Sequence, residues 1–568
     1  MSDFTPSSAF TSGSTLPQKR YDAVVIGSGA AGSIAVKELT ERGLEVLLLE
    51  AGRDITDADF TPAPPTRPAK MNIGLVGRSK AMLRGQYRQS LRAFFKDTTS
   101  PFLVNDWQNP YTVDGDDFLW IRGRVLGGRL HSYGRMLLRS SDHEFKAADY
   151  DGHGVNWPFG YADLAPYYDR VEKFLGVYGT EENLPQLPDG QYRGPSLTTE
   201  SEKEFKSVVE SRWPERNVVP WRYAAPNLHR VPLGIVAARE TGRLTTRTDA
   251  VVRQITINRK TGRADGAVFV DRLTRTEHRV FADIVMLCAS GIESVRLMLN
   301  SATDGHPDGL GNSSGLLGRY FMDQTPSLLF AEDPKHPGFE TINPAPEDPY
   351  YAPVGGVYIP RFKNLEGQSE RGYARGYGVQ GTIGRLPVPD GNAGTVGLMA
   401  FGEMLPYYDN RITIDKRRKD HWGIPAPRIH MRVTDNERNM MRAQVAGMRE
   451  MAQAAGYTIN FVGSTLGLDD RKIWPDADPI SRFIFKRGIK LSLAMGAAIH
   501  ECGGARMGTD PATSVLNEHN QSWDVPNLFV TDGSAYVSNG AVGPSLTIMA
   551  MTARACEYAA RQLADGTL

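Results

Sequence analysis

Tyr21-Asp-Ala-Val-Val-Ile26, followed at once by Gly27-Ser-Gly-Ala-Ala-Gly32, is the stretch on which the fold turns. The first half is short, apolar and β-branched, the composition of a strand buried on both faces of a parallel sheet. The second half spaces three glycines as a strand-to-helix turn needs them. Gly27 makes the tight bend, Gly29 lets the backbone approach a diphosphate, and Gly32 lets the helix pack close to the strand. Ser33–Arg42 then carries Ile34, Ala35 and Leu39 at helical spacing, and Gly43 stops the helix. A second strand, Val46–Leu49, ends in Glu50, 18 residues after Gly32. An acid there accepts hydrogen bonds from ribose hydroxyls and repels a 2′-phosphate, while the helix N-terminus offers free N–H groups to the phosphates. A lone Gly-x-Gly-x-x-Gly string is weak evidence. Strand, glycines, helix, strand and acid in register predict a dinucleotide-binding unit.

At 568 residues the chain is too long for a single core, so two or more interleaved domains are expected. A hydrophobic fraction of 40% and a mean hydropathy of −0.36 suit a soluble globular protein. Lys+Arg and Asp+Glu are equal at 65 each, which leaves no global field to attract nucleic acid or an anionic membrane. The three cysteines, Cys288, Cys502 and Cys556, are too scattered for a disulfide framework or a zinc site and read as small buried apolar groups. Residues 1–20 are Ser/Thr/Pro-rich without an apolar h-region and read as a flexible tail. No run of 18 uninterrupted apolar residues occurs, so no membrane span is expected and the cytoplasm is the plain location. Two strings mislead. Gly311-Asn-Ser-Ser-Gly315 matches a nucleophile elbow but follows a polar loop rather than a strand. His500-Glu-Cys-Gly-Gly504 lacks the second His of a metal-binding helix, so no metal is expected.

The first glycine turn alone does not separate a flavin from a nicotinamide. Arg122-Gly-Arg-Val-Leu-Gly-Gly-Arg129 is a second glycine-rich turn. Three glycines inside a helix would cost roughly 1 kcal/mol each, so this is a loop, suited to close backbone approach to a large planar group. The last 70 residues return to strand, Asp, Gly and helix, with Leu528-Phe-Val-Thr-Asp-Gly533 and then Leu546–Arg561.

On these residues the chain resembles the glucose-methanol-choline oxidoreductase family. Gly27–Gly32 with Glu50-Ala-Gly52 and the loop Gly123–Gly128 carry the likeness at one end. Asp283–Leu299, His500–Gly508 and Asn527–Leu546 carry it toward the other. Ser141–Lys146, Trp157–Glu172 and Thr513–Asn520 are similar to the glucoside 3-dehydrogenase and gluconate dehydrogenase branch. The resemblance implies an α/β fold, a Rossmann-type FAD-binding domain with an inserted α+β substrate domain built on a mostly antiparallel sheet. It divides the chain into FAD-binding parts at 21–150, 235–325 and 496–568 and substrate parts at 151–234 and 326–495. Residues 55–118 are Pro-containing and locally basic (Lys70, Arg78, Lys80, Arg84, Arg88, Arg92, Lys96) and read either as a lid or as a solvated helix face with a long surface loop. Tyr373–Gly384 and Val396–Met404 read as strands and Asp435–Ala455 as a helix.

The implied cofactor is FAD. Its contacts would be Gly27, Ser28, Gly29, Ala30, Gly32, Glu50 and Ala51, then Arg124, Gly127, Gly128 and Ser132, then Val252, Ala289, Asp532, Gly533 and Ser545. Ser132 stands where some relatives carry a histidine covalently attached to the flavin, so non-covalent FAD is expected and His131 beside it is structural. Oxidising an alcohol needs a base for the hydroxyl proton and an acceptor, flavin N5, for the hydride. His500, between an apolar run and a Gly-Gly turn, matches the family's active-site histidine and titrates in the right range. His143, His153, His421 and His430 lie in polar or loop segments and are expected in solvent. Tyr133, Trp422 and Tyr536 are pocket aromatics without assigned specificity.

One departure stands out. The family usually places Asn or His immediately before the proline of Val542-Gly-Pro-Ser545, and this chain has Gly543, a vacant partner position. Asn539, Tyr536 or a water could fill the space, a bulky substrate could use it, or alcohol oxidation could be lost. The leading expectation is oxidation of a secondary alcohol of a sugar or glycoside to a ketosugar. The alternatives are a lyase-like or bulky natural-product glycoside reaction on the same scaffold, and a flavin-holding partner without activity. The electron acceptor, whether oxygen, a quinone or a carrier protein, depends on access to the flavin rather than on a motif.

Overall fold

The computed structural model describes residues 8–60, 75–92, 98–340, 342, 354–365, 372–468 and 479–568. The expected strand forms at Arg20–Ile26 and the next at Val46–Leu49; Val24, Val25, Leu47 and Leu48 are fully buried, as strands covered on both faces require. They pair in parallel, Val24 opposite Leu47, and Glu277–Leu287 lies parallel on the other side, Val285 opposite Val24. The sheet runs in the order Ala9–Phe10, Leu244–Arg247, Val46–Leu49, Arg20–Ile26, Glu277–Leu287, Ala264–Asp271, Ala250–Ile257. Glu277–Leu287 divides its free edge. Its first half takes Ala264–Asp271 antiparallel and its end takes Leu528–Val530 in parallel. A strand more than 240 residues away is thereby brought beside the fingerprint.

The fingerprint helix spans Ala30–Glu41, starting earlier than its apolar spacing suggests because the turn residues themselves are helical. It packs on Leu233–Glu240 and on the C-terminal helix Ser545–Ala564. All three cysteines are buried and free.

The second sheet is antiparallel throughout, in the order Gly467–Leu468, Thr458–Ser464, Gln324–Pro337, Ala393–Glu403, Tyr377–Ile383, Val357–Ile359, Val219–Pro220. Helix Asp435–Ala454 covers it, opened by a capping box in which Thr434 and Glu437 satisfy each other's backbone N–H groups. Met440, Met448 and Met451 on that helix are fully buried against the sheet. A small sheet of Arg411–Lys419, Pro425–Met431 and Thr112–Gly115 ties a segment of the 55–118 stretch to this side of the molecule. Within 55–118 the described residues form helix Leu75–Leu83 and short turns at Gln89–Leu91 and Ser100–Phe102. Lys70, Lys96 and the side chain of Arg78 lie outside the described residues. No described helix is long and apolar enough to cross a membrane.

Gln324 stands at a junction. It opens the central strand Gln324–Pro337 and pairs with Glu403, the last residue of its neighbour. Just before it, Met322 and Cys502 exchange backbone hydrogen bonds at 2.8 Å each way. That bridge fastens the segment holding His500 to the mouth of the second sheet.

Candidate active site

The two glycine-rich loops form a single cradle. A Cβ on Gly32 would overlap the Gly27 carbonyl, so only glycine lets the helix start this close to the strand. A Cβ on Gly29 would meet nothing within 4 Å, and one on Gly128 would come no nearer than 3.9 Å to Gly29 Cα, so the loops face each other across open space. Ser28 joins them. The Gly127 N–H donates to Ser28 Oγ at 2.9 Å, and Ser28 Oγ donates to Glu50, whose other oxygen accepts from Gly52 N at 2.7 Å. Burial holds the Glu50 carboxyl above the usual carboxylate range, with Ser28 and Gly52 pulling it back.

Around Glu50, Ala51 packs on the cluster of Val251, Val270, Trp422 and Ile424, and Val252 packs on the main core next to it. Trp422 therefore belongs to this end and not beside His500. Arg124 lies 5.2 Å over the Trp422 ring and 3.6 Å from Glu293, and its Nη1 is buried without a hydrogen-bond partner among the described residues. On the far side Ala289 N donates to Ser294 Oγ, which donates to Asp532. Asp532 also takes both the N–H and the hydroxyl of Ser534, and Gly533 backs onto the Glu501 carbonyl. Ser545 opens the C-terminal helix, and Ser132 Oγ turns back to the Arg129 carbonyl at 3.3 Å. His131 is buried, bonds the Leu126 carbonyl at 2.7 Å and packs on Phe60 and Phe102, a structural role. An open backbone cradle, an acid at the strand end and an orphaned guanidinium N–H fit an adenine dinucleotide. These residues would hold FAD.

His500 sits at the other end. Its Nδ1 lies 2.5 Å from Gln324 Oε1. The amide nitrogen of Gln324 is spent on the carbonyls of Gly540 and, at 2.9 Å, Val542. The amide oxygen is therefore what faces the imidazole, Nδ1 carries the proton, and Nε2 keeps its lone pair. Nε2 points at the vacant position, since a Cβ on Gly543 would stand 3.5 Å from it. Neither expected substitute fills that space. Asn539 Nδ2 bonds the backbone carbonyl of His500 at 3.4 Å, and the Tyr536 hydroxyl donates to the Pro544 carbonyl at 2.9 Å. Phe401 packs on the imidazole with ring centroids 5.1 Å apart.

The backbone and charges here are unusual. Ile499, β-branched, holds φ at 62° immediately before His500, a conformation costing about 1–3 kcal/mol and concentrated at functional sites. Burial and the positive charge of Arg129 push the His500 imidazole down to about 3. Arg129 itself is paired with Glu501 at 2.6 Å. Asp323 is pushed up to about 7 by burial and by Glu501, while backbone N–H groups of Gly496, Gln324 and His500 pull it back. Gln324, Asp323 and Phe401 carry no signal in the sequence, because they lie 99 to 177 residues from His500. Arg129 ends the second glycine-rich turn, but only its contact with Glu501 gives it a task. Of the other histidines, His430 is not in a loop. It lies on strand Pro425–Met431, and its Nδ1 is 2.8 Å from Asp114.

Known proteins resemble this chain along most of its length. The GMC oxidoreductase family model matches residues 406–552, and an NAD(P)-binding Rossmann-like domain model matches 25–59. The chain is 28% identical to a 2-methyl-1,2-propanediol dehydrogenase of Mycolicibacterium austroafricanum, over 97% of each chain. It is 25% identical to a gluconate 2-dehydrogenase flavoprotein of Pantoea cypripedii, over 94% of this chain and 92% of that one. A formate oxidase structure from Aspergillus oryzae shares the fold with a TM-score of 0.65 at 15% identity, covering 97% of this chain and 100% of its own. The chain is thus an FAD-dependent oxidoreductase acting on CH–OH groups, with a GMC oxidoreductase domain over residues 406–552.

Proposed function

We propose that this enzyme oxidises a secondary alcohol of a sugar or glycoside to a ketone, with His500 as the base. One observation carries the reading: Gln324 fixes the tautomer of a half-buried imidazole so that the Nε2 lone pair faces the space beside Gly543. A hydroxyl placed there gives its proton to Nε2. Gln324 Oε1 keeps its hydrogen bond to Nδ1 and steadies the imidazolium that results. FAD, when bound, supplies the acceptor for the hydride leaving the same carbon. Held down to about 3 rather than near the working pH that the sequence suggests, the imidazole is neutral at every ordinary pH. Phe401 covers one side of the ring. The substrate of one relative, gluconate, is polyhydroxylated, which supports a sugar-like substrate here.

In the same reading FAD is held without a covalent bond, Ser132 standing in place of an attaching histidine. The FAD-binding unit comprises 21–150, 235–325 and 496–568, and the substrate unit comprises 151–234 and 326–495. The test is His500→Asn. Flavin stays bound, and its anaerobic reduction by substrate slows by roughly 10²–10⁴-fold. Reduction at the wild-type rate would remove His500 from the chemistry. The room at Gly543 supports a second reading, a bulky glycoside or a reaction without net electron transfer. Product formed with the flavin still oxidised and no acceptor present would mark the latter.

A further inference from the structure

Charge balances over the whole chain, 65 basic residues against 65 acidic, but not along it. Between Asp59 and Asp97 stand eight Lys and Arg and no acid, and between Asp478 and Glu501 stand four and no acid. These stretches carry the helices Leu75–Leu83 and Pro479–Ser492. On the second, Phe483, Lys486, Arg487, Lys490 and Leu491 are exposed. Their spacing of three and four puts them on one stripe, and Ile489 and Ser492 are buried on the side turned away. The first helix runs out into Met82, Leu83 and Arg84, all exposed, with Lys80 exposed one turn earlier.

The two helices are neighbours. Both touch the turn Gln89–Leu91, and Ala81 of the first shares an apolar cluster with Ala494 and Ala497, just past the second. Ile499, the residue before His500, packs on the same cluster, so this face adjoins the segment that carries the base. Trp107 is fixed beside the end of the first helix. Asp106 N–H donates to the Gly85 carbonyl at 2.8 Å, Asn105 Nδ2 donates to the Arg84 carbonyl at 3.1 Å, and the rings of Trp107 and Tyr87 lie 4.8 Å apart. Against the second helix lies Gly467–Leu468, reached through exposed Leu466. Six of the thirteen large apolar side chains exposed among the described residues therefore gather here: Met82, Leu83, Trp107, Leu466, Phe483 and Leu491. Leu83 is 89% exposed and Trp107 72%. No described carboxylate pairs with Lys80, Arg84, Lys486, Arg487 or Lys490.

Apolar groups gathered in water mark a surface that something covers, and the cations among them call for an anionic cover. Three of those five cations are lysines, which interfaces between proteins avoid. Flexible lysine stems beside aliphatic tips and a tryptophan are instead the composition that settles at the headgroup level of a bilayer. We propose that this face docks on an anionic lipid bilayer. Met82, Leu83, Trp107 and Phe483 enter between the headgroups, and the lysines and arginines lie against the lipid phosphates. No described helix crosses a membrane, so the attachment is peripheral and reversible. It holds whichever alcohol the enzyme oxidises.

The experiment is sedimentation of the purified holoenzyme with two kinds of vesicle, pure phosphatidylcholine and phosphatidylcholine with about 30% phosphatidylglycerol, in about 0.1 M and about 0.5 M salt. Expected is binding to the anionic vesicles that is at least about 10-fold tighter than to the neutral ones and weaker in the higher salt. A triple variant, Lys486→Glu with Arg487→Glu and Lys490→Glu, should weaken it about 100-fold. A double variant, Leu83→Ser with Trp107→Ser, should weaken it about 10-fold. All five side chains are exposed, so flavin content should match wild type in both. Equal binding to the two kinds of vesicle, or binding to neither, would overturn the proposal. Loss in only one of the two variants would overturn it too: charge alone describes a site for an acidic protein, and apolar contact alone one indifferent to lipid charge. Wild-type binding by both variants would put the contact on another face and overturn it as well. Should the triple variant not fold, Lys486→Gln with Lys490→Gln decides, with a loss of about 10-fold expected.

Discussion

The two ends of the site are built on opposite plans. At the cradle, Gly27–Gly32 and Gly123–Gly128 meet through backbone atoms and one serine, and the acid that completes it is only 18 residues past the last glycine of the fingerprint. At the His500 end, side chains from four separated segments, Gln324, Phe401, Arg129 and Gly543 with its neighbours, converge on one imidazole. Backbone recognition fits a constant group and tolerates no added atom. Side-chain recognition can be retuned one residue at a time. The contrast predicts that damage to the cradle removes the flavin, whereas damage at His500 leaves it in place and changes only what it reacts with.

The largest effect is expected from Gly32→Val. The new Cβ would overlap the Gly27 carbonyl, and neither a helix start nor a buried strand end can yield. Flavin per purified chain should fall below about a tenth of wild type. Near-full flavin would show that the helix moves freely and would break the contrast at its first term.

Next comes Gln324→Leu. With the amide gone, Nδ1 loses the acceptor that keeps its proton there, and the two tautomers compete. Flavin should be retained and its reduction by substrate slowed about 10- to 100-fold, less than in His500→Asn. Gln324→Glu sharpens the point. A carboxylate against Nδ1 raises the imidazole's affinity for protons, so an acid limb should enter a pH profile of flavin reduction that is flat in wild type. An unchanged profile would deny Gln324 its hold on the tautomer.

The same contrast explains which parts of the site are legible in the sequence. The cradle is legible because its parts are adjacent: a buried strand, three glycines and an acid follow a spacing that backbone geometry dictates. The strands Tyr377–Ile383 and Ala393–Glu403 and the helix Asp435–Ala454 are legible from their residues, whereas the antiparallel sheet follows only from the family resemblance. Gln324 is not, because nothing local distinguishes the first residue of a strand that lies beside an imidazole 176 positions later. Asn539 and Tyr536 are plausible occupants of the Gly543 space by proximity in sequence. Their side chains are instead committed to the carbonyls of His500 and Pro544, which need donors of their own.

A smaller effect concerns stability and pH. The Asp323 carboxyl titrates near 7 in the folded chain, against a value near 4 when unfolded, because it is buried beside Glu501. The folded state thus binds a proton more tightly, and stability from this group is present in acid and lost as pH rises through 7. Between pH 6 and 8 the loss should be about 1 kcal/mol, seen as a falling thermal midpoint. Asp323→Asn keeps an oxygen for the Gly496 N–H, now at 2.5 Å, and should flatten that slope. Equal slopes in the two proteins would mean that the carboxyl is already ionised at pH 6.

The smallest change tests the vacancy itself. In Gly543→Ala the added methyl would lie 3.5 Å from His500 Nε2, an ordinary van der Waals contact, and outside the imidazole no other atom comes within 4 Å. Fold, flavin content and the Gln324 hydrogen bond should all survive, which makes this substitution a probe of space alone. If the substrate uses the room beside Nε2, the methyl competes with it, and half-saturation should rise several-fold for the larger of two substrates while the smaller is spared. Equal behaviour of large and small substrates would show that the space is not where the alcohol sits. The base would then be reached from its other side, past Phe401, and the partner role that the family resemblance implies for this position would fail for this chain.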